Sequence, residues 1–316
     1  MSIQIISPGA LTTVQDYGRT GYGEIGFSPS GVMDAQSMEI ANILVGNDMG
    51  EAVLECTLFG PTLSFTRDTV IAITGANMVP KINDRDIPMY KAVSVKEGEQ
   101  LKLSMAVSGC RSYISFAGGL QIEESFGSKS TNMKCFMGGF HGRALKAEDE
   151  IFFVKPAAVL PDMEKRIYTK IYAVTSPKTL RVIMGPQEEY FTRDGINVFL
   201  HEVYKLTSDS NRMACKLSGP VIESRDTTDI ISDGISLGSI QVSSNGQPII
   251  MLSDRQTTGG YAKIGTVIST DIPMLAQCKP GDEVRFKSIT LEEAHELYKK
   301  HYTKMQKFQR ELVTLG

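Results

Sequence analysis

Residues 253–265, SDRQTTGGYAKIG, follow an apolar run, PIIML. They bring together a carboxylate (Asp254), a carboxamide (Gln256), two hydroxyls (Thr257 and Thr258), the Gly259 and Gly260 pair, Tyr261 and a lysine. A carboxylate accepts N–H groups, amides and hydroxyls both donate and accept, and glycines let a ligand come close to backbone amides. Such a loop suits a small carboxylate or amide. The same composition also suits a tight hairpin whose side chains satisfy turn amides, and the spacing leaves both readings open.

Other short motifs carry less. GYGEIG (21–26) has the G-x-G-x-x-G spacing of a dinucleotide fingerprint, which requires a strand before it and a helix after it. Polar TTVQDYGRT precedes it and FSPSG, with Pro29 and Gly31, comes next, so a structured glycine-rich loop is expected instead. GSKST (127–131) has Ser128 where a Walker loop has its second glycine, and Glu123 where the motif would open, which disfavours ATP binding. No G-x-S-x-G elbow is present, and the histidines are His141, His201, His295 and His301. Cys56, Cys110, Cys135, Cys215 and Cys278 are odd in number and widely spaced, which points to reduced thiols in a cytoplasm. Cys135 and His141 form the one close Cys/His pair, too few ligands for zinc, so no metal site is expected.

The elements that must position these residues are mostly strands. Runs such as TVIAITGA, QLKLSMAV, RSYISFAGG, TLRVIMG and EVRFKSI are short and broken by Gly, Pro, Asn or Asp, the pattern of sandwiches or barrels. Two helices are expected. Residues 34–45 place Met38, Ala41, Leu44 and Val45 on one stripe before Gly46. Near the C-terminus a Thr290/Glu293 capping box opens an apolar face running from Leu291 through Leu297, Met305 and Phe308 to Leu312, expected to pack on its own barrel. LFGPTLSF (58–65) resembles LSGPVIES (217–224), and KAEDEIFF (146–153) resembles KPGDEVRF (279–286), which implies two similar halves. Proline-bearing, charged residues suggest a linker at 159–180, between halves at 1–158 and 181–316. With 316 residues, 41% hydrophobic content and a formal charge of -3, the chain is large enough for two domains, and its field gives no reason to expect nucleic acid or a membrane surface. No secretory signal and no apolar run of about 18 residues are seen.

Longer stretches carry a family resemblance. SPGALTTVQDYGRTGYGEIGFSPSGVMD, ANILVGN, LECTLFGP, RSYISFAGG, GSKST, SNRM, SDGISLGSIQV, GQPIIMLSDRQTTGGY and AQCKPGDEVRF, from near residue 7 to about 290, resemble the biotin-dependent carboxyltransferase group related to allophanate hydrolase subunit 2, which includes the C subunit of 5-oxoprolinase. The resemblance implies a mainly β fold of two tandem cyclophilin-like β-barrel domains with few helices and a C-terminal helix. It implies partners, a first subunit resembling the 5-oxoprolinase B subunit and a lamB/YcsF-like A subunit. It also implies ATP-dependent opening of 5-oxoproline to glutamate, with ATP a co-substrate of the complex that no motif here binds. Two other activities are implied by relatives: carboxyl transfer to urea or another small amide, with biotin supplied by another chain because no A-M-K-M motif is present, and non-enzymatic antagonism of a histidine-kinase inhibitor.

Carried onto this sequence, the small-amide chemistry makes Asp254 a candidate base or N–H acceptor, with Gln256, Thr257 and Thr258 as positioners beside Gly259 and Gly260. Arg19, Ser30 and Asp34 of the N-terminal signature form a second group, with Tyr261 as a wall. The chain departs from the family pattern at Val32, Tyr90, Lys129, Ser243 and the Ala214/Cys215 pair. Any of them that line the substrate site would bear on which amide is accepted.

Overall fold

The computed structural model describes residues 1–169 and 176–313, and strands dominate them. The chain divides into two compact units, one built from residues 1–19, 30–169 and 303–313, the other from 20–29 and 176–302.

In the first unit the strands form two sheets. A six-stranded sheet runs in the order Glu150–Phe152, Ser2–Ser7, Thr62–Phe65, Gln100–Lys102, Lys81–Ile82, Arg85–Asp86. A five-stranded sheet runs Leu11–Gln15, Val53–Thr57, Ser108–Phe116, Thr69–Asn77, Ala92–Val95. In the first of these Ile3 and Ile5 are buried while Gln4 and Ile6 are exposed, the alternation of a sheet with one wet face. Ile3, Ile5, Leu63 and Phe65 meet Leu54, Ile73, Ile114 and Phe116 of the other sheet in one core. The second face of the five-stranded sheet is covered by α1 (Ala35–Leu44), through Ile40, Ala41, Ile43 and Leu44 against Val70 and Ala72. Covered on both faces, Thr69–Asn77 is buried along its first six residues and does not alternate. The predicted stripe of α1 is buried and its predicted stop at Gly46 holds, and the structure adds an N-cap. Asp34 Oδ1 accepts the Ser37 N–H at 2.9 Å at the N-cap, and Gly46 follows the C-terminal end at φ +77°.

In the second unit seven strands close into a barrel, ordered Lys178–Met184, Lys263–Val267, Ser239–Val242, Pro248–Met251, Ala214–Ser218, Tyr204–Leu206, Glu283–Ser288. The ring is sealed by parallel pairing of its first and last strands, with Lys178 opposite Val284 and Val182 opposite Ser288. Leu180, Val182, Ile240, Ile250, Ile264, Val284 and Phe286 are buried. Phe199 of α2 (Arg193–His201) stacks on Phe286 with ring centroids 4.5 Å apart. A short α3 (Ile272–Ala276) follows Asp271, whose buried carboxylate accepts the backbone N–H and Nε of Arg181 at 2.7 and 2.9 Å.

The capping box of α4 (Leu291–Val313) forms as predicted: the Thr290 N–H donates to Glu293 Oε2 at 2.9 Å and the Glu293 N–H to Thr290 Oγ1 at 3.2 Å. Met305 and Leu312 are buried and Phe308 packs edge-on against Tyr168, whereas Leu291, Tyr298 and Tyr302 are exposed. The stripe drawn along the whole helix is therefore a packed face over its last turns only. Of residues 159–180, expected as a linker, 170–175 lie outside the described residues. Ile167 is bridged to Lys91, and Arg166 donates to the carbonyls of Pro161 and Leu44. No helix of the described residues is long and apolar enough to cross a membrane, and all five cysteines are thiols.

Candidate functional site

Strand Pro248–Met251 leaves the barrel wall at Leu252, and the chain rejoins the barrel at Lys263–Val267. Residues 252–262 form an excursion and not a hairpin folded back on the preceding strand. Thr258–Tyr261 pairs with Asp229–Gly234 in a separate two-stranded sheet, Asp229 opposite Tyr261 and Gly234 opposite Thr258. The excursion opens with a turn in which the Arg255 N–H donates to Leu252 O at 3.1 Å. Two backbone bonds tie this turn to the segment before strand Ala214–Ser218, from Leu252 N to Met213 O at 2.9 Å and from Asp254 N to Arg212 O at 3.0 Å. That segment is itself set by Asn211, whose Oδ1 accepts from the N–H groups of Met213 and Ala214. Ala214, Ile235 and Met251 pack together as an apolar cluster.

Arg212 grips Asp254 twice. Besides the backbone bond, its Nε donates to Oδ2 at 2.9 Å and its Nη2 to Oδ1 at 3.2 Å, with side chains 5% and 17% exposed. This two-pronged pair fixes the rotamer of the carboxylate. An ionised carboxylate offers about four acceptor positions, so Asp254 keeps capacity for an incoming N–H. At the other end of the excursion the buried Lys263 donates from Nζ to Asp233 Oδ2 at 2.7 Å, and its backbone N–H donates to Gln187 Oε1 at 3.2 Å. The bond from Lys263 holds the Asp233 carboxyl below the usual carboxylate range.

Gly259 sits where two carboxamides converge. A Cβ there would stand 2.8 Å from Gln241 Nε2, 3.1 Å from Gln256 Nε2 and 2.6 Å from Ile235 Cδ1. Gly260 has more room, with Ile230 O at 3.4 Å. Gln241 Nε2 donates to Tyr261 O at 3.3 Å, and Thr257 O accepts the Ile235 N–H at 2.9 Å. Gln256, Thr258 and Tyr261 are exposed and Thr257 is half-buried. The GYGEIG stretch is a single 3-10 turn, Gly23–Ile25, closed by Gly26 at φ +83°, with no strand or helix to make a nucleotide fingerprint. Just after it, Ser28 Oγ donates to Ser253 O at 3.4 Å.

Arg19, Ser30 and Asp34 belong to the first unit and have local roles there. Arg19 donates from Nε to Ser125 O at 3.1 Å and from Nη2 to Ser130 O at 2.5 Å, bracing the GSKST loop. Asp34 caps α1, and its N–H donates to the hydroxyl of Tyr113, which in turn donates to Glu55 Oε2, each at 2.9 Å. Burial, with Glu55 and Asp34 nearby, pushes the Tyr113 hydroxyl well above its ordinary pKa. Ser30 is buried at φ +56°, and its Oγ has no hydrogen-bond partner among the described residues. The GSKST loop is organised around Asp16: Oδ1 accepts from Ser128 and Ser130 Oγ, Oδ2 accepts the Lys129 N–H, and Lys129 Nζ pairs with Glu51. No helix succeeds it, so the loop lacks the build of a phosphate cradle. Among the described residues no cluster of His, Cys, Asp and Glu could hold a metal.

Arg212, Gln241, Asp233 and Gln187 escaped the sequence reading as site residues. Arg212 did carry a signal, being the arginine of SNRM.

A family model described as carboxyltransferase domain, subdomain A and B, matches residues 25–288. The chain is 36% identical over 292 residues to the 5-oxoprolinase C subunit of Escherichia coli, covering 92% of this chain and 93% of that protein. It is 34% identical over 316 residues to the urea amidolyase of Saccharomyces cerevisiae, covering 94% of this chain and 17% of that much longer protein. Among solved structures it is similar to the Kluyveromyces lactis urea carboxylase, with a TM-score of 0.90 and 30% identity over 97% of this chain and 29% of that one.

Proposed function

The chain belongs to the carboxyltransferase-domain family, subdomains A and B, and we propose that it is one subunit of an ATP-dependent 5-oxoprolinase that opens 5-oxoproline to glutamate. The observation that carries this reading is Asp254, a partly exposed carboxylate locked by Arg212 at the head of a polar excursion. A carboxylate so held accepts the N–H of a small planar amide, takes a proton from the water that attacks the carbonyl and returns it to the ring nitrogen as the C–N bond breaks, with Gln256, Thr257 and Thr258 on the same excursion to orient the ring. Support comes from the match over nearly the full length of the Escherichia coli 5-oxoprolinase C subunit. Such a chain works with others, and the partners proposed are a first subunit, similar to the 5-oxoprolinase B subunit, and a lamB/YcsF-like A subunit. ATP is proposed as a co-substrate of the complex bound outside this chain, a reading supported by Asp16 and Glu51, which occupy donors of the Walker-like loop. Five cysteines that all remain thiols support a cytoplasmic setting.

A second reading, carboxyl transfer to urea or a related amide, draws on the likeness to urea carboxylase. It would assign the same N–H acceptance to Asp254 and require biotin on another chain. The deciding experiment co-purifies this chain with its cognate partners and tracks glutamate release from 5-oxoproline with ATP. Stoichiometric glutamate and ADP are expected from the complex and little ATP hydrolysis from the isolated chain. ATP-dependent carboxylation of urea with no glutamate release would favour the second reading.

A further inference from the structure

The turn that presents Asp254 also carries a cation that its neighbours do not balance. Arg255 is partly buried, and its side chain curls back over the turn. Its Nε donates to Ile235 O and its Nη1 to Leu252 O, each at 3.2 Å. Both acceptors are neutral carbonyls, and among the described residues no carboxylate pairs with it. The contrast within the same unit is plain, since Arg212 is paired with Asp254 and Arg181 with Asp271. Burial alone pulls the Arg255 pKa below its ordinary value, with no neighbouring charge opposing it. A guanidinium nevertheless stays charged at physiological pH, so a positive charge is kept in a partly dry place with no counter-charge of its own. Of the five N–H groups of a guanidinium, the two carbonyls take only two.

We propose that Arg255 receives the carboxylate of the substrate, so that the site selects an amide with a carboxylate beside its N–H over a neutral amide such as urea. This inference rests on the amide-opening reading above. A cyclic α-amido acid presents its N–H and its carboxylate on adjacent ring atoms. Asp254 and Arg255 offer the matching acceptor and donor from adjacent positions of one turn. The two carbonyls that pin the guanidinium fix its orientation before a ligand arrives, and a pre-oriented fork loses little freedom when it pairs with a carboxylate. Urea presents N–H groups and a neutral carbonyl but no carboxylate, and leaves the charge of Arg255 uncompensated.

The test measures equilibrium binding, by titration calorimetry on the assembled complex, of 5-oxoproline and of 2-pyrrolidinone, the same ring without its carboxylate. Wild type is compared with Arg255→Gln and Arg255→Lys, each checked for an unchanged melting profile. Arg255→Gln is expected to weaken 5-oxoproline at least about tenfold and 2-pyrrolidinone less than about twofold, the scale of a lost charge-assisted bond. Arg255→Lys keeps the charge without the planar fork and should recover part of the loss. Equal weakening of both rings, or unchanged binding of 5-oxoproline, overturns the assignment. A wild-type complex that opens both rings with the same kcat/KM also overturns it while leaving lactam opening intact. A complex that binds neither ring overturns both readings.

Discussion

Replacing Asp254 by asparagine separates the charge of the carboxylate from the shape of the turn. The side chains are nearly isosteric, so the backbone bond from residue 254 to Arg212 O survives. The guanidinium of Arg212 does not fare as well. Of its two bonds to Asp254, at 2.9 and 3.2 Å, one would meet an amide NH2 and the other a neutral oxygen. A hydrogen bond to a charged group contributes about 1.5–3 kcal/mol, and with Arg212 only 5% exposed little water can replace it. The expected loss is about 2 kcal/mol, or roughly 4–8 °C in Tm for a unit of this size. A lower Tm is thus expected whether or not Asp254 does chemistry, and the rate must decide. Turnover of the assembled complex, measured well below the variant's melting range, should fall by about 100-fold or more if the carboxylate carries the proton from water to the ring nitrogen. Arg212→Gln is the control, since it should cost similar stability but retain the carboxylate, with turnover reduced by no more than about tenfold. If Asp254→Asn turns over within about threefold of wild type, the carboxylate has no part in the chemistry.

Three further outcomes are expected. Tyr113→Phe removes a buried hydroxyl that joins Asp34 N to Glu55, and should lower stability to urea by about 1–3 kcal/mol with an unchanged m-value; an unchanged midpoint would show that the bridge contributes nothing. The two bonds from Arg143, both 2.7 Å, hold the Asp149 carboxyl below the usual range. Because the folded pKa is the lower one, the stability it adds, about 1 kcal/mol, is present above the ordinary carboxylate pKa of about 4 and lost as pH falls through the depressed value. The stability difference between wild type and Asp149→Asn should therefore be constant near neutrality and vanish in strong acid, and a difference that grows on acidification would refute the sign. Gly118→Ala, at φ +79° with Lys155 O at 1.7 Å from the new Cβ, should be severely destabilising, whereas Gly259→Ala meets only movable side-chain ends and should shift Tm little while lowering turnover.

Much of the fold was legible because its signals are local. The Thr290 and Glu293 pair announces its helix by side chains that satisfy nearby amides, and Asp34 and Gly46 bracket α1 in the same way. The limit of such signals shows at the landmarks read as a repeat. KAEDEIFF and KPGDEVRF both lead into strands, Glu150–Phe152 and Glu283–Ser288. LFGPTLSF ends in strand Thr62–Phe65, while LSGPVIES begins in Ala214–Ser218 and leaves it, because a Gly-Pro turn specifies a break and leaves the next element open. Within the site, the excursion 252–262 was visible from its composition. Its partners were not, since Arg212 and Asp233 lie 42 and 30 residues from Asp254 and Lys263 along the chain and reach them only through barrel pairing.

The parallel seam of the barrel bears on how this chain is made. The strand Lys178–Met184 emerges from the ribosome roughly 100 residues before the strand that seals against it, a long loop closure of the kind that slows folding. Until Glu283–Ser288 is synthesised, an apolar strand edge stays open and able to pair with the wrong neighbour. The second unit must therefore complete its ring only after residue 288 has been made. A deletion that removes Glu283–Ser288 would take away the seam itself and leave the barrel unable to close.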